Sequence, residues 1–241
     1  MGYQSLDAPY VVAQIGAYDR AYAISQYRPN FGWEAQAEAG MLTNLQPGKA
    51  YPIELRLAGQ TLTMVVDDIQ VLSMVLTRPL DGTGMGLFAF DDAEVQFGET
   101  TMVTSKPKVF VMMPFSEPFN SLYEDVIKEV AISEGFDIVR ADEILGPGII
   151  IADMQRQITE CQAVVTEIST VNPNVFYELG YAHALGKPAV LLIRRKSGRD
   201  IPFDIPGYRA IVYDDSISWK KIVERNLEQH LRAVKRDPLI A

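Results

Sequence analysis

The 241-residue chain holds one cysteine, two histidines and two tryptophans. A single thiol, Cys161, excludes a disulfide within the chain and suits a reducing compartment. Cys161 follows a helical pattern and precedes an apolar strand, so a packed thiol is expected. With only His183 and His230 available as bases, a catalytic Cys–His pair has little to draw on. Cations are scarce too: 22 Lys and Arg stand against 31 Asp and Glu, for a net charge of -9. Broad binding to a nucleic-acid backbone needs clustered Lys and Arg to displace counterions, so no nucleic-acid partner is expected. A small nucleotide needs only a local pocket and stays open. No apolar run approaches the roughly 20 residues of a membrane span. The opening MGYQSLDAPY has neither the basic region nor the apolar core of a secretory leader. A cytoplasmic protein without membrane contact is therefore expected, long enough for two modest domains.

What is present falls into two parts. Up to about residue 104 the chain reads as β-rich. Tyr10 to Ala17 and Ala21 to Tyr27 are rich in Val, Ile and Tyr, with Asp19-Arg20 between them. From Trp33 to Met41, Trp33, Ala35, Ala37 and Ala39 alternate with Glu34, Gln36 and Glu38, the period of a strand with one wet face. Ile53, Leu55 and Leu57 alternate in the same way with Glu54 and Arg56. Asp67-Asp68 and Asp91-Asp92 each interrupt apolar stretches and predict hairpin turns. No long helical period appears, so an all-β antiparallel sandwich is the natural architecture. The paired acids are read as turn residues, and no metal site is assigned.

The lines YPIELRLAGQTLTMVVDDIQVL and GMGLFAFDDAEVQF resemble the concanavalin-like (lectin/glucanase-type) jelly rolls. The resemblance spans Tyr51 to Phe97 and implies a partial jelly roll over 1–104, either trimmed or completed by a partner's edge. It also implies a glycan or protein partner for this domain. Trp33, Tyr22 and Tyr27 are then candidate sugar-stacking rings. The competing reading makes them core or interface aromatics.

The polar junction GETTMVTSKP, Gly98 to Pro107, places the second domain at 105–241. From Lys108 the period changes. Val109 to Met113 is a short continuous apolar run, as expected for a strand buried on both faces. Asn120 to Glu134 carries Leu122, Val126, Val130 and Ala131 at helical spacing, and Gly135 stops it. Phe136 to Val139, Ala163 to Ile168, Pro188 to Ile193 and Ala210 to Tyr213 read as further strands. Ile149 to Glu160, Val171 to Gly186 and Trp219 to Val234 read as helices. Such alternation, with right-handed crossovers, predicts an α/β flavodoxin-like, doubly wound parallel sheet of five strands in the order 2-1-3-4-5. Ligands of such sheets bind beyond the carboxyl ends of the strands. The loops there are Pro114 to Phe119, Arg140 to Gly148 and Ser169 to Asn174.

Asn172 suits a helix N-cap and Pro173 the first helical position. Glu178 then lies between one and two turns into the helix. One reading makes it an acid favoured by the helix dipole. The other makes it a carboxylate facing the cleft mouth.

MMPFSEPF, RADEI, the Asp153 to Ile158 helix and NPNVFYELGYAHALGKP together resemble the nucleoside 2-deoxyribosyltransferase-like superfamily, and more closely its bacterial TIR-like relatives, over about residues 108–213. The resemblance implies an N-glycosidase or deoxyribosyltransferase-like enzyme acting on a nucleotide such as NAD or on a nucleoside. It makes Glu178 the catalytic carboxylate and sets Asp153 against ribose or base. It also implies an antiviral defence effector that acts when assembled, so a homo-oligomer is expected. No cofactor is expected. Breaking a ribosyl–base bond develops positive charge at the anomeric carbon, which a carboxylate traps or stabilises. The candidate substrate-binding residues are Met113, Pro114, Phe115, Arg140, Asp142, Asp153, Asn172 and Asn174. Arg140 would meet a phosphate, Asp142, Glu143 or Asp153 the sugar hydroxyls, and Phe115 and Tyr123 a base.

The chain departs from these relatives at Thr166-Glu167, where they usually carry aspartate, and in the residues around Glu178. The departures favour hydrolysis or sensing over base exchange. His183, five residues beyond Glu178, falls about 140° round the helix and is not expected to partner it. Lys187 is expected to be a solvated charge at the helix end. The alternative function is a non-catalytic nucleotide-sensing module beside a glycan- or protein-binding sandwich. An oligomerisation scaffold is a third reading.

Overall fold

The computed structural model describes residues 10–77, 80, 85–89, 94–143, 150–195, 210–214 and 218–236. Its contacts divide the chain into two compact units, Met1–Ser105 and Lys106–Ala241.

In the first unit, β1 (Tyr10–Ala17), β2 (Arg20–Arg28) and β3 (Gly32–Met41) form one antiparallel sheet. A second antiparallel sheet contains β4 (Ile53–Ala58), β5 (Thr61–Val66) and β6 (Ile69–Val75). Asp67 and Asp68 carry φ of 51° and 61° between β5 and β6. Both positive values match the two-residue turn whose twist suits flanking strands, and Asp tolerates them. Tyr18 and Asp19 repeat these values between β1 and β2, so that turn falls one residue earlier than the sequence predicts. Val11 and Ile24 from the first sheet meet Leu62, Met64 and Val66 from the second in one core. Ala37 and Ala39 pack against it, as the alternation along β3 requires.

Each sheet is a meander of sequence neighbours, so an antiparallel sandwich is present, while jelly-roll crossings between the sheets are not seen among the described residues. The tip of the hairpin predicted at Asp91-Asp92 lies outside the described residues, and the flanks 85–89 and 94–97 are not in strands. Met85, Leu87, Phe88, Val95 and Phe97 are each about half exposed, so alternation there meets no buried face to reward it. Trp33 and Tyr27 pack with Tyr10, at ring-centroid distances of 5.1 to 5.4 Å. Tyr22 packs against the core instead. Five residues along a strand is about 17 Å, so Tyr22 stands apart from the Trp33–Tyr27 cluster, as the reading of these rings as core or interface aromatics has it.

The second unit is a parallel sheet of five strands: β7 (Lys108–Met112), β8 (Asp137–Arg140), β9 (Ala163–Glu167), β10 (Ala189–Arg194) and β11 (Ala210–Tyr213). Their spatial order β8-β7-β9-β10-β11 is the predicted 2-1-3-4-5. Side-chain alternation splits the interior in two. Val109, Val111, Val165 and Leu192 face a helix built from α1 (Phe119–Leu122), a π-helical stretch Tyr123–Ile127 and α2 (Lys128–Ser133), together with α5 (Trp219–Arg236). Phe110, Met112, Val164 and Leu191 face α3 (Ile150–Glu160) and α4 (Pro173–Ala184). The sheet is thus covered on both faces, as a doubly wound fold demands. The strand order reverses between β7 and β9, and the crevice of such a fold opens beyond their carboxyl ends.

Two expectations at the opposite end of the sheet resolve differently. Cys161 is buried, donates to the Ile158 carbonyl at 3.2 Å, and burial pushes its thiol up to about 11, so it is a packed thiol. Lys187 is not a solvated charge. It is buried, and its Nζ donates to the carbonyls of Thr159 at 2.6 Å and Cys161 at 2.7 Å. Those carbonyls lie where α3 has run out of following amides, and the ammonium satisfies them. Burial lowers the Lys187 pKa, with the neighbouring thiol opposing. Lys187→Met is therefore expected to cost about 2 kcal/mol, because it strands two buried acceptors. Urea denaturation of the variant checks this: an unchanged midpoint would show that the amine contributes nothing.

Candidate active site

α4 begins as its sequence dictates. Asn172 is the N-cap, its Oδ1 accepting from the Asn174 amide at 3.0 Å, and Pro173 follows in the first turn. The buried residues of this helix are Val175, Glu178, Leu179 and Ala182. That is the spacing of one helical face, and every member but Glu178 is apolar. A helix packed on a sheet would ordinarily place a Leu or Val at this position. No acidic residue lies in the first turn, so the helix dipole does not account for Glu178.

Glu178 is only 5 % exposed and makes no hydrogen bond or ion pair with any described residue. Burial alone pushes its carboxyl up to about 7. The reason is plain: charge is lost from water and no donor offsets the loss. The side chain lies where two cavities meet. One, of about 200 Å³, is bounded by Met113, Pro114 and Phe115 after β7, Ala141 after β8, and Asn172 and Asn174 at the start of α4. The other, of about 280 Å³, runs between α3 and α4 past Met154, Gln155, Tyr177 and Tyr181. Glu178, Asn174 and Met154 line both. The first cavity sits over the ends of β7 and β9, at the switch point of the sheet.

The sequence-predicted residues divide into two groups. Met113, Pro114, Phe115, Asn172 and Asn174 are gathered around Glu178. Arg140, Asp142 and Asp153 line neither cavity. The Arg140 guanidinium is held by both oxygens of Asp142 at 2.6 Å and by Asn120 at 3.0 Å. It lies 4.5 Å from the Tyr123 ring centre and 5.6 Å from that of Phe115. Arg140 thus braces Phe115 and Tyr123 from outside the two cavities. Tyr123 is fully buried and donates to Glu143 at 2.9 Å, so it cannot stack on a base. Asp153 pairs with Arg156 at 3.0 Å. His183 lines neither cavity.

Glu167 occupies the other face of the sheet. It shares the orientation of Val165, toward α5. Its carboxylate accepts from the Tyr213 hydroxyl at 3.1 Å, from the Ser169 amide at 3.2 Å and from the Ser169 hydroxyl. The Ser169 hydroxyl in turn accepts from the Arg194 amide at 2.5 Å. This clasp ties β9 to β10 and β11. Burial raises the Glu167 pKa, while Ser169 and Tyr213 oppose the rise. Of the departure at Thr166-Glu167, Glu167 therefore belongs to a hydrogen-bonded network on the α5 face, while Thr166, of the opposite parity, shares the face of Val164 toward α3 and α4.

Met154, Gln155 and Tyr181 were not singled out as site residues by sequence reasoning. The signal was available for Tyr181, since Asn174, Glu178 and Tyr181 follow i, i+4, i+7 on one helical face. Gln155 reaches the Tyr177 hydroxyl at 3.4 Å, a pairing between helices that spacing within one helix cannot reveal.

No protein-family model and no curated protein matches the chain. Solved structures do resemble it in part. A CMP N-glycosidase from Clostridium botulinum is 19% identical, covering 51% of this chain and 98% of its own, with a TM-score of 0.39. A 2-deoxyribosyltransferase from Bacillus psychrosaccharolyticus is 17% identical, covering 50% and 95%, with a TM-score of 0.38. A diflavin flavoprotein A3 from Nostoc sp. is 15% identical, covering 56% and 98%, with a TM-score of 0.41. Likeness at this level leaves the chemistry to be read from this chain's own side chains.

Proposed function

We propose that the α/β unit cleaves the N-glycosidic bond of a nucleoside or of a nucleotide such as NAD, with Glu178 as the carboxylate at the reacting carbon. One observation carries the reading: a buried carboxyl with no partner among the described residues is held in an apolar helix face at the junction of two cavities, over the switch point of the sheet. The sequence motifs around it, NPNVFYELG and MMPF, are those on which the superfamily resemblance rests.

The chemistry follows from the residue type. As the bond from the anomeric carbon to the base nitrogen breaks, the base keeps the bonding electron pair. A Glu178 oxygen forms a bond to that carbon, or stabilises its positive charge without one. Water then adds to the same carbon, releases the carboxylate and gives up a proton. The apolar walls give a charged Glu178 little competing stabilisation, so it gains more from a cationic transition state than a hydrated acid would. Phe115 and Tyr177, both about half exposed, offer faces for a base, and the Asn174 side chain offers polar contact.

A specific observation favours a second reading, binding without turnover. Among the described residues no other carboxylate lines the cavities, because Asp153 is paired and Glu167 lies across the sheet. A neutral nucleobase would then have to take its proton from solvent, whereas the nicotinamide of NAD, cationic before cleavage, leaves as a neutral base without one. Incubating the protein with NAD, nucleotides and nucleosides, and following free base by chromatography, separates the two. Base release is the expected result. Saturable binding of intact ligand with no base formed over a long incubation would establish the second reading instead.

A further inference from the structure

We infer that the first unit pairs with a second copy of this chain through the outer edge of β4, antiparallel and centred on Leu55. β4 is the end strand of its sheet and pairs only with β5 among the described residues. Its register sets Ile53, Leu55 and Leu57 opposite Val66, Met64 and Leu62, which are no more than 2 % exposed. Ile53 and Leu57 share the core-facing side yet remain 46 % and 45 % exposed. Among the described residues, no strand covers the core of this unit along the outer edge of β4.

The main chain is arranged to continue the sheet. The Pro52 carbonyl accepts from the Asp67 amide, so it faces β5. Inward and outward groups alternate along an antiparallel strand. Glu54, Arg56 and Ala58 thus direct their amides and carbonyls to β5, and Ile53, Leu55 and Leu57 direct theirs outward. An exposed edge of this kind is a template for another strand.

The side chains select which strand. In a two-fold pair centred on Leu55, Ile53 of one copy meets Leu57 of the other, and Leu57 meets Ile53. On the opposite face Glu54 meets Arg56 and Arg56 meets Glu54. Every contact is apolar with apolar or acid with base, as an isologous interface requires. The outward amides of Ile53, Leu55 and Leu57 fall on the hydrogen-bonded pairs of this register. Glu54 and Arg56 then fall on the non-hydrogen-bonded pair, where side chains approach closest. In the single chain Arg56 binds Glu54 at 2.6 and 2.7 Å, with the two side chains 61 % and 56 % exposed, and both are free to exchange partners across the two-fold. A one-residue slip would set Glu54 against Leu57 and lose both sets of matches. Edge charges usually repel a neighbouring strand. These are self-complementary.

The test is charge reversal read by sedimentation velocity on the full chain. Wild type is expected to sediment as a dimer. Glu54→Arg alone and Arg56→Glu alone each bring like charges together across the two-fold, and each should weaken association tenfold or more. Mixing the two single variants should restore a dimer, since a copy with two basic side chains on this face then meets a copy with two acidic ones. The double variant should dimerise by itself. Far-UV circular dichroism verifies that the exposed substitutions leave the fold unchanged. A monomeric wild type, a dimer that survives either single reversal, or a mixture that stays monomeric would each overturn the inference. None of these outcomes bears on base release by the α/β unit.

Discussion

Glu178→Gln is expected to lower base release by about a thousandfold, within the range for removal of one acid–base or nucleophilic group. Gln keeps the size and shape of the side chain and abolishes its negative charge. It disturbs no partner, because the Glu178 carboxyl has none among the described residues. The loss should appear in kcat, since the charge matters only when the anomeric carbon turns cationic. Ligand binding should persist, because Phe115, Tyr177 and Asn174 are untouched. The pH profile gives a second readout. Glu178 acts as a carboxylate, and burial holds its pKa at about 7. In the free protein kcat/KM should therefore rise about tenfold per pH unit below that value and level off above it. A Gln variant that releases base at the wild-type rate would remove Glu178 from the mechanism. A wild-type profile flat across pH 7 would show that its ionisation is not the controlling step.

The parts of this arrangement legible in the sequence are those written in local periodicity. Continuous apolar runs such as Val109 to Met113 mark strands buried on both faces, and their alternation with helices gives the strand order. Asn172 and Pro173 announce the start of α4, and Asp67-Asp68 announces a hairpin, because each has a local conformational reason to be there. Side-chain commitments between distant elements were not legible. Arg140 reads as a free cation until Asp142, Asn120 and the Tyr123 ring are seen around it. Lys187 reads as a solvated helix end until the carbonyls of Thr159 and Cys161, more than 25 residues away, are seen to hold it. Glu167 and Glu178 sit eleven positions apart, yet strand alternation sends one toward α5 while α4 carries the other on the opposite face. Charged side chains were thus the least predictable part of the site, since what decides their role is tertiary.

The same Gln substitution that removes activity is expected to stabilise the fold near pH 8. The sign follows from proton linkage. The Glu178 carboxyl titrates at about 7 in the folded chain and at an ordinary 4.5 when unfolded. Between those values the native state binds the proton more tightly, so wild-type stability falls as pH rises through the window. Below the window both states are protonated and nothing is lost. Above it the full cost of holding a buried carboxylate with no partner among the described residues is present. Each unit of displacement corresponds to about 1.4 kcal/mol, and partial access to water through the cavities reduces the total to about 2 kcal/mol. The neutral amide of the variant has no charge to bury. The variant should therefore match wild type near pH 4 and exceed it by about 2 kcal/mol near pH 8, measured by urea denaturation at both. Glu167 also titrates high, but it is common to both proteins and cancels in the comparison. The direction discriminates between roles. A carboxylate kept for structure would lose stability on neutralisation, whereas one kept for chemistry is tolerated at a cost to the fold. A Gln variant no more stable than wild type near pH 8 would mean that Glu178 has a stabilising partner in solution, and the case for a poised, unpaired carboxylate would fail.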